Sequence, residues 1–127
     1  MPAYGTAPHV PAIYAPGDSY TVWSAESPAT NAASQQVAIA ESVTGSQNVS
    51  VEIQFSAAPG TFSVTIQTAD TDVAGAYTTY SGASPIIAVN SGFYASYQLV
   101  DLRCNFIRLF MTDDPSNGVT VTAKITR

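Results

Sequence analysis

Runs in which apolar and polar side chains alternate recur along most of this chain, and each predicts a strand with one buried face. The clearest is Val49, Val51, Ile53 and Phe55, set against Ser50, Glu52, Gln54 and Ser56. Phe62, Val64, Ile66 and Thr68 repeat the pattern after Ala58-Pro59-Gly60-Thr61. Proline followed by glycine suits the centre of a type II turn, where glycine tolerates positive φ. The two runs therefore predict an antiparallel hairpin. Near the carboxy terminus Val119, Val121, Ala123 and Ile125 alternate with Thr120, Thr122, Lys124 and Thr126.

Weaker signals fill the remainder. A first strand is expected with Tyr20, Val22 and Ser24 on one side and Thr21 and Trp23 on the other. Glu26 to Ser34 reads as a loop, and a second strand is expected near Gln35–Thr44, with Val37, Ile39 and Glu41 sharing a face. Gly45-Ser46-Gln47-Asn48 then turns the chain. A polar loop opens at Asp70, Tyr77–Tyr80 forms a short edge strand, and Pro85 opens Ile86-Ile87-Ala88-Val89. Tyr97, Leu99 and Val100 lie in the next extended piece. Cys104 to Thr112 is apolar on both faces, Ile107, Leu109 and Met111 against Phe106 and Phe110. Such a strand belongs mid-sheet or beneath another element. Asp113 to Gly118 is dense turn chemistry.

No window has a helical period, and the chain holds only three leucines against abundant Val, Ile, Thr and aromatics. About eight short strands separated by turns predict an all-β fold, an antiparallel β-sandwich or jelly roll. It spans residues 18–127. Residues 1–17 form an extended arm, because Pro2, Pro8, Pro11 and Pro16 remove donors and favour polyproline-like backbone. Tyr4, Val10, Ile13 and Tyr14 interleave with these prolines as apolar teeth that a free linker does not need. They are the expected partner-binding residues of the arm, pinned on its own domain or on a neighbouring subunit.

Composition narrows the function. A length of 127 residues suits one domain, and 46% hydrophobic content is ample for a core. No apolar run approaches the ~20 residues of a bilayer crossing. Met1 to Gly5 has neither a basic start nor an apolar stretch, so no secretory signal is expected. Net charge is −5, and all four basic residues (Arg103, Arg108, Lys124, Arg127) come late in the chain. A phosphate backbone or anionic membrane is gripped by clustered cations, so neither nucleic acid nor membrane is an expected partner. With only 10% charged residues, the surface is largely neutral and polar, which suits packing into an assembly.

Catalytic chemistry finds few candidates. His9 lies between prolines in the arm, where catalytic geometry is hard to hold. One His and one Cys are too few for zinc, and no glycine-rich phosphate loop follows a strand. Asp70 with Asp72, and Asp113 with Asp114, read as solvated turn-formers rather than an acid pair. A calcium loop at Asp70–Asp72 lacks a defined ligand spacing. Neither catalytic residues, metal nor cofactor is expected. Cys104 reads as a small buried apolar residue, and Arg108 as a structural cation stacked on an aromatic or paired with Asp101. Asn48-Val49-Ser50 matches a glycosylation acceptor by chance. Tyr77, Tyr80, Tyr94 and Tyr97 cluster in the second half, as interface anchors or as a sugar platform.

Phe62-Ser63-Val64-Thr65-Ile66-Gln67, an acidic loop, Tyr77-Thr78-Thr79-Tyr80, Leu99 through Leu109 and Gly118 through Ile125 occur in an order that resembles small β-sandwich virion proteins of tailed phages. More distantly, residues 49–127 resemble discoidin or galactose-binding-like jelly rolls, without the tryptophan those carry after the acidic loop. The resemblance implies a non-enzymatic structural protein on the capsid surface, of the decoration or cement type. It also implies a homotrimer that docks on the major capsid or another shell protein through its arm. The alternative expectation is a carbohydrate-binding or adhesion module of a tail or receptor-binding component.

Overall fold

A computed structural model describes residues 10–40, 47–58, 60, 62–80, 86–87, 94–115 and 118–127, with the backbone alone at 86–87 and 100–101. These residues form strands β1 (Ser19–Glu26), β2 (Ala32–Ala33), β3 (Val37–Ala38), β4 (Gln47–Phe55), β5 (Ser63–Ala69), β6 (Thr78–Thr79), β7 (Ile86–Ile87), β8 (Tyr94–Leu102), β9 (Phe106–Asp113) and β10 (Val121–Thr126). The one helical piece among them is a 3₁₀ turn at Ala74–Ala76. One sheet has the order β1-β10-β4-β8. In the other, β9 pairs with β2, β3 and β5, and β5 pairs in turn with β6 and β7. All of these strand pairs are antiparallel, and the two sheets make a β-sandwich.

Alternation decides what lies between the sheets. Val49, Val51, Ile53 and Phe55 of β4 and Val121, Ala123 and Ile125 of β10 point inward from one sheet. Val64 and Ile66 of β5 with Ile107, Leu109 and Met111 of β9 meet them from the other. The second face of β9 is also partly covered, as its composition predicts, and the strand lies mid-sheet.

Three expectations need correction. The runs 49–55 and 62–68 are not a hairpin: β4 belongs to the first sheet and β5 to the second. Phe55 and Phe62 instead meet across the crossover, ring centroids 4.4 Å apart and tilted by 57°. Gly60 does take the positive φ (66°) that its place after proline suggests. Alternation records which face is buried but not which strand lies alongside, so period alone could not separate a hairpin from a change of sheet. In β1, Val22 and Trp23 are both buried because a bulge between Thr21 and Trp23 breaks the period. The expected second strand contracts to β3, and the preceding loop contains β2. Ser34 bridges β2 and β3: its N–H donates to Leu109 O (2.7 Å), and its Oγ accepts from Leu109 N–H (2.8 Å).

The described part of the arm lies on its own sandwich. Ala38 N–H donates to Pro11 O (2.8 Å) and Ile13 N–H to Ala38 O (2.9 Å), making a short parallel bridge to β3. Gly17 N–H donates to Arg127 O and Arg127 N–H to Asp18 O, prolonging the β1–β10 ladder. Ile13 is 2% exposed and part of the core. Of the two docking places open to the arm, its own domain or a neighbour, Ile13 takes the first, because its side chain is consumed by the domain's own interior. Tyr14 is exposed and Val10 half-buried; Tyr4 and His9 lie outside the described residues.

Candidate functional site

The four tyrosines expected to form one surface separate onto different faces. Tyr77 is buried over the outer side of the second sheet, where its hydroxyl donates to Asp72 Oδ1 at 2.8 Å. The Arg108 guanidinium lies 4.2 Å from its ring centroid and donates through Nε to Gln67 Oε1 at 2.7 Å. Arg108 thus has the stacked, structural role expected of it, with Tyr77 as the aromatic. Asp72, 2% exposed, also accepts from Gln36 Nε2 at 3.4 Å, so its carboxylate belongs to packing. Tyr80 and Tyr97 lean on the hydrophobic core. Tyr94 alone of the four stands on an open face, 53% exposed.

That face is the outside of β1-β10-β4-β8, and its make-up follows from the strand period. When Val51, Ile53, Ala123 and Ile125 turn inward, Glu52, Gln54, Thr122 and Lys124 must turn outward. Register then sets them side by side: Glu52 lies between Lys124 and Ser96, and Gln54 between Thr122 and Tyr94. Thr21 of β1 lies opposite Lys124. These side chains line a shallow depression of about 160 Å³, formed by Thr21, Glu52, Gln54, Tyr94, Thr122 and Lys124. It is smaller than the roughly 300–1,000 Å³ of enclosed small-molecule pockets, and a ligand here lies on the sheet rather than inside it.

Glu52 organises the depression. Its Oε1 accepts from the Tyr94 hydroxyl at 2.9 Å, and its Oε2 is 3.4 Å from Lys124 Nζ. The hydrogen bond to Glu52, with smaller help from desolvation and from the carboxylate's charge, raises the Tyr94 phenol above its ordinary value of 10.0. Tyr94 is therefore a neutral donor to Glu52 at all physiological pH values. Both members of the ion pair are well exposed, so the pair orients side chains more than it stabilises the fold.

A second depression, about 270 Å³, is lined by Pro16, Gln47, Asn48 and Arg127. It lacks an aromatic wall, and the Arg127 guanidinium is engaged with Ile39 O at 2.7 Å. No helix of the described residues is long and apolar enough to cross a membrane, and no three His, Cys, Asp or Glu among them converge as metal ligands. Of the candidate acids, Asp70, Asp113 and Asp114 are exposed on loops or strand ends. Cys104 is buried, and burial pushes its thiol up to about 12.

Sequence reasoning singled out Tyr94 but not Glu52, Gln54, Thr122 or Lys124. Their signal was present, since each is an outward position of a well-patterned strand, but the register that groups them is a tertiary property.

No protein-family model and no curated protein sequence matches the chain. Among solved structures it is similar to one described as "Family 16 Carbohydrate Binding Module-2", at 18% identity and a TM-score of 0.40, covering 76% of this chain and 68% of that one.

Proposed function

We propose that this chain is a non-catalytic recognition module that binds carbohydrate on the outer face of its four-stranded sheet. Tyr94 is the observation that carries the reading. It is an exposed aromatic held in place on a face otherwise covered by hydroxyl, amide and paired charged groups. A sugar ring has the complementary make-up, an apolar C–H surface edged by hydroxyls. The Tyr94 ring stacks on the first, while Gln54, Thr21 and Thr122 exchange hydrogen bonds with the second. An open sheet face accommodates a run of sugar units in an extended chain. The absence of an expected acid pair or nucleophile in the sequence agrees with binding rather than turnover.

The test is a glycan array followed by calorimetry with the wild type and Tyr94→Ala. Binding to at least one neutral oligosaccharide is expected, weakened at least about tenfold by the substitution with the melting temperature unchanged. Failure to bind any neutral glycan at millimolar concentration sinks the proposal.

Tyr14 supports a second reading, the virion decoration role. It projects, exposed, immediately beyond the buried anchor Ile13, so an aromatic is presented at a defined place beside the domain. Under that reading Tyr14→Ala lowers incorporation into particles and leaves Tyr94-dependent glycan binding untouched. A chain that is monomeric and binds glycan favours the first reading.

A further inference from the structure

Among the described residues that line the depression, Glu52 is the acid and Lys124 the base, and their arrangement bears on which glycans it accepts. Glu52 uses both oxygens: Oε1 takes the Tyr94 hydroxyl and Oε2 faces Lys124 Nζ. The remaining lining residues Thr21, Gln54 and Thr122 are uncharged, and so are Ser50, Ser96, Gln98 and Thr126 around them. Lys124 is thus the cation among the described lining residues, and its neutraliser is built into the same floor.

Resting on the reading of this face as a carbohydrate site, we infer that Glu52 is its specificity-determining residue. Through Oε1 it positions the Tyr94 ring, and by engaging Lys124 through Oε2 it confines the face to uncharged glycans.

The chemistry follows from the two contacts. A neutral sugar stacked on Tyr94 needs no counter-charge, and the Glu52–Lys124 pair presents it with no net charge. A uronate carboxylate brought to the same place approaches the Glu52 carboxylate, with which it repels, and must compete with it for Lys124. Removing the Glu52 charge while keeping an acceptor for the Tyr94 hydroxyl separates the two roles. Glutamine does this, because its amide oxygen accepts the phenol while Lys124 is left without an anion.

The experiment compares wild type, Glu52→Gln, Glu52→Gln with Lys124→Ala, and Tyr94→Ala by calorimetry. The probes are cellohexaose, xylohexaose, mannohexaose and hexagalacturonate, alongside any neutral oligosaccharide selected on the array. All three substituted positions are exposed or half-buried, and thermal melts confirm that each variant is folded. Wild type is expected to bind a neutral probe and not hexagalacturonate. Glu52→Gln is expected to raise hexagalacturonate affinity relative to that for the neutral probe by about tenfold, a shift lost in the double variant and in roughly 0.5 M salt. Should Glu52→Gln gain nothing for hexagalacturonate while Tyr94→Ala still abolishes neutral binding, the inference about Glu52 is overturned and the carbohydrate face stands. Equal wild-type binding of neutral and acidic probes overturns it likewise. Neutral binding that is absent, or indifferent to Tyr94→Ala, overturns the carbohydrate face and this inference together.

Discussion

Two ionisable side chains show how local surroundings set chemistry in this molecule. Tyr94 is 53% exposed, and its hydrogen bond to Glu52 raises the phenol above its ordinary value of 10.0. Cys104 is buried in the short link between β8 and β9, and loss of hydration, aided by the nearby Asp70 charge, raises its thiol from 9.0 to about 12. Thiolate is the reactive form, so Cys104 is inert in the native protein. Thiol reagents at pH 8 should leave it unlabelled until denaturant is added, and rapid native labelling would contradict its burial. The sign of the linkage follows from the raised value. The thiol's contribution to stability is fully present below pH 9 and is lost as pH climbs through about 12, so stability declines over that window. Cys104→Ala should remove its share of the decline in pH-dependent melts.

At the scale of elements, the interruption between β2 and β3 matters most. These two short strands pair with one long strand, β9, and the gap between them is bridged by Ser34. Its backbone N–H and its Oγ both engage Leu109, so the serine side chain stands in for a backbone acceptor the ladder lacks there. Ser34→Ala leaves the Leu109 N–H buried without that acceptor, at a cost of about 1–3 kcal/mol. Chemical denaturation measures this, and a loss below a few tenths of a kcal/mol would mean another group satisfies Leu109. Elsewhere an outer layer does similar work. The loop after β5 lays Tyr77 over Arg108, covering the second face of β9 between Phe106 and Phe110.

For the whole molecule the question is whether the amino-terminal segment belongs to the fold. Ile13 fills part of the core, and Pro11, Ile13 and Gly17 each hydrogen-bond to the sandwich through the backbone. Ile13→Ala should therefore cost about 2–5 kcal/mol, the range for truncating a buried isoleucine. Deleting residues 1–17 should cost at least as much, and it lowers the melting temperature by roughly 4 °C per kcal/mol for a domain of this size. An unchanged melting temperature after deletion would show that Ile13 is dispensable to the core and restore the arm as a free extension.

The strand class, the inward residues of β4, β5, β9 and β10, and the two-faced character of β9 were all legible in the sequence. They depend on one-dimensional period and side-chain chemistry, which the chain carries locally. Adjacency was not. Whether Phe55 and Phe62 end one hairpin or face each other from two sheets depends on which strands fill the space beside them, a choice made by packing of the complete core. The same holds for Ile13, whose apolar side chain predicted contact but not with what. Tyr94, Glu52 and Lys124 sit on three separate strands; Tyr94 stands out in sequence as one of a group of tyrosines, while Glu52 and Lys124 read as ordinary solvent-facing residues. Only the antiparallel register of β10, β4 and β8 brings them within hydrogen-bonding distance, so the candidate site exists as a consequence of tertiary structure.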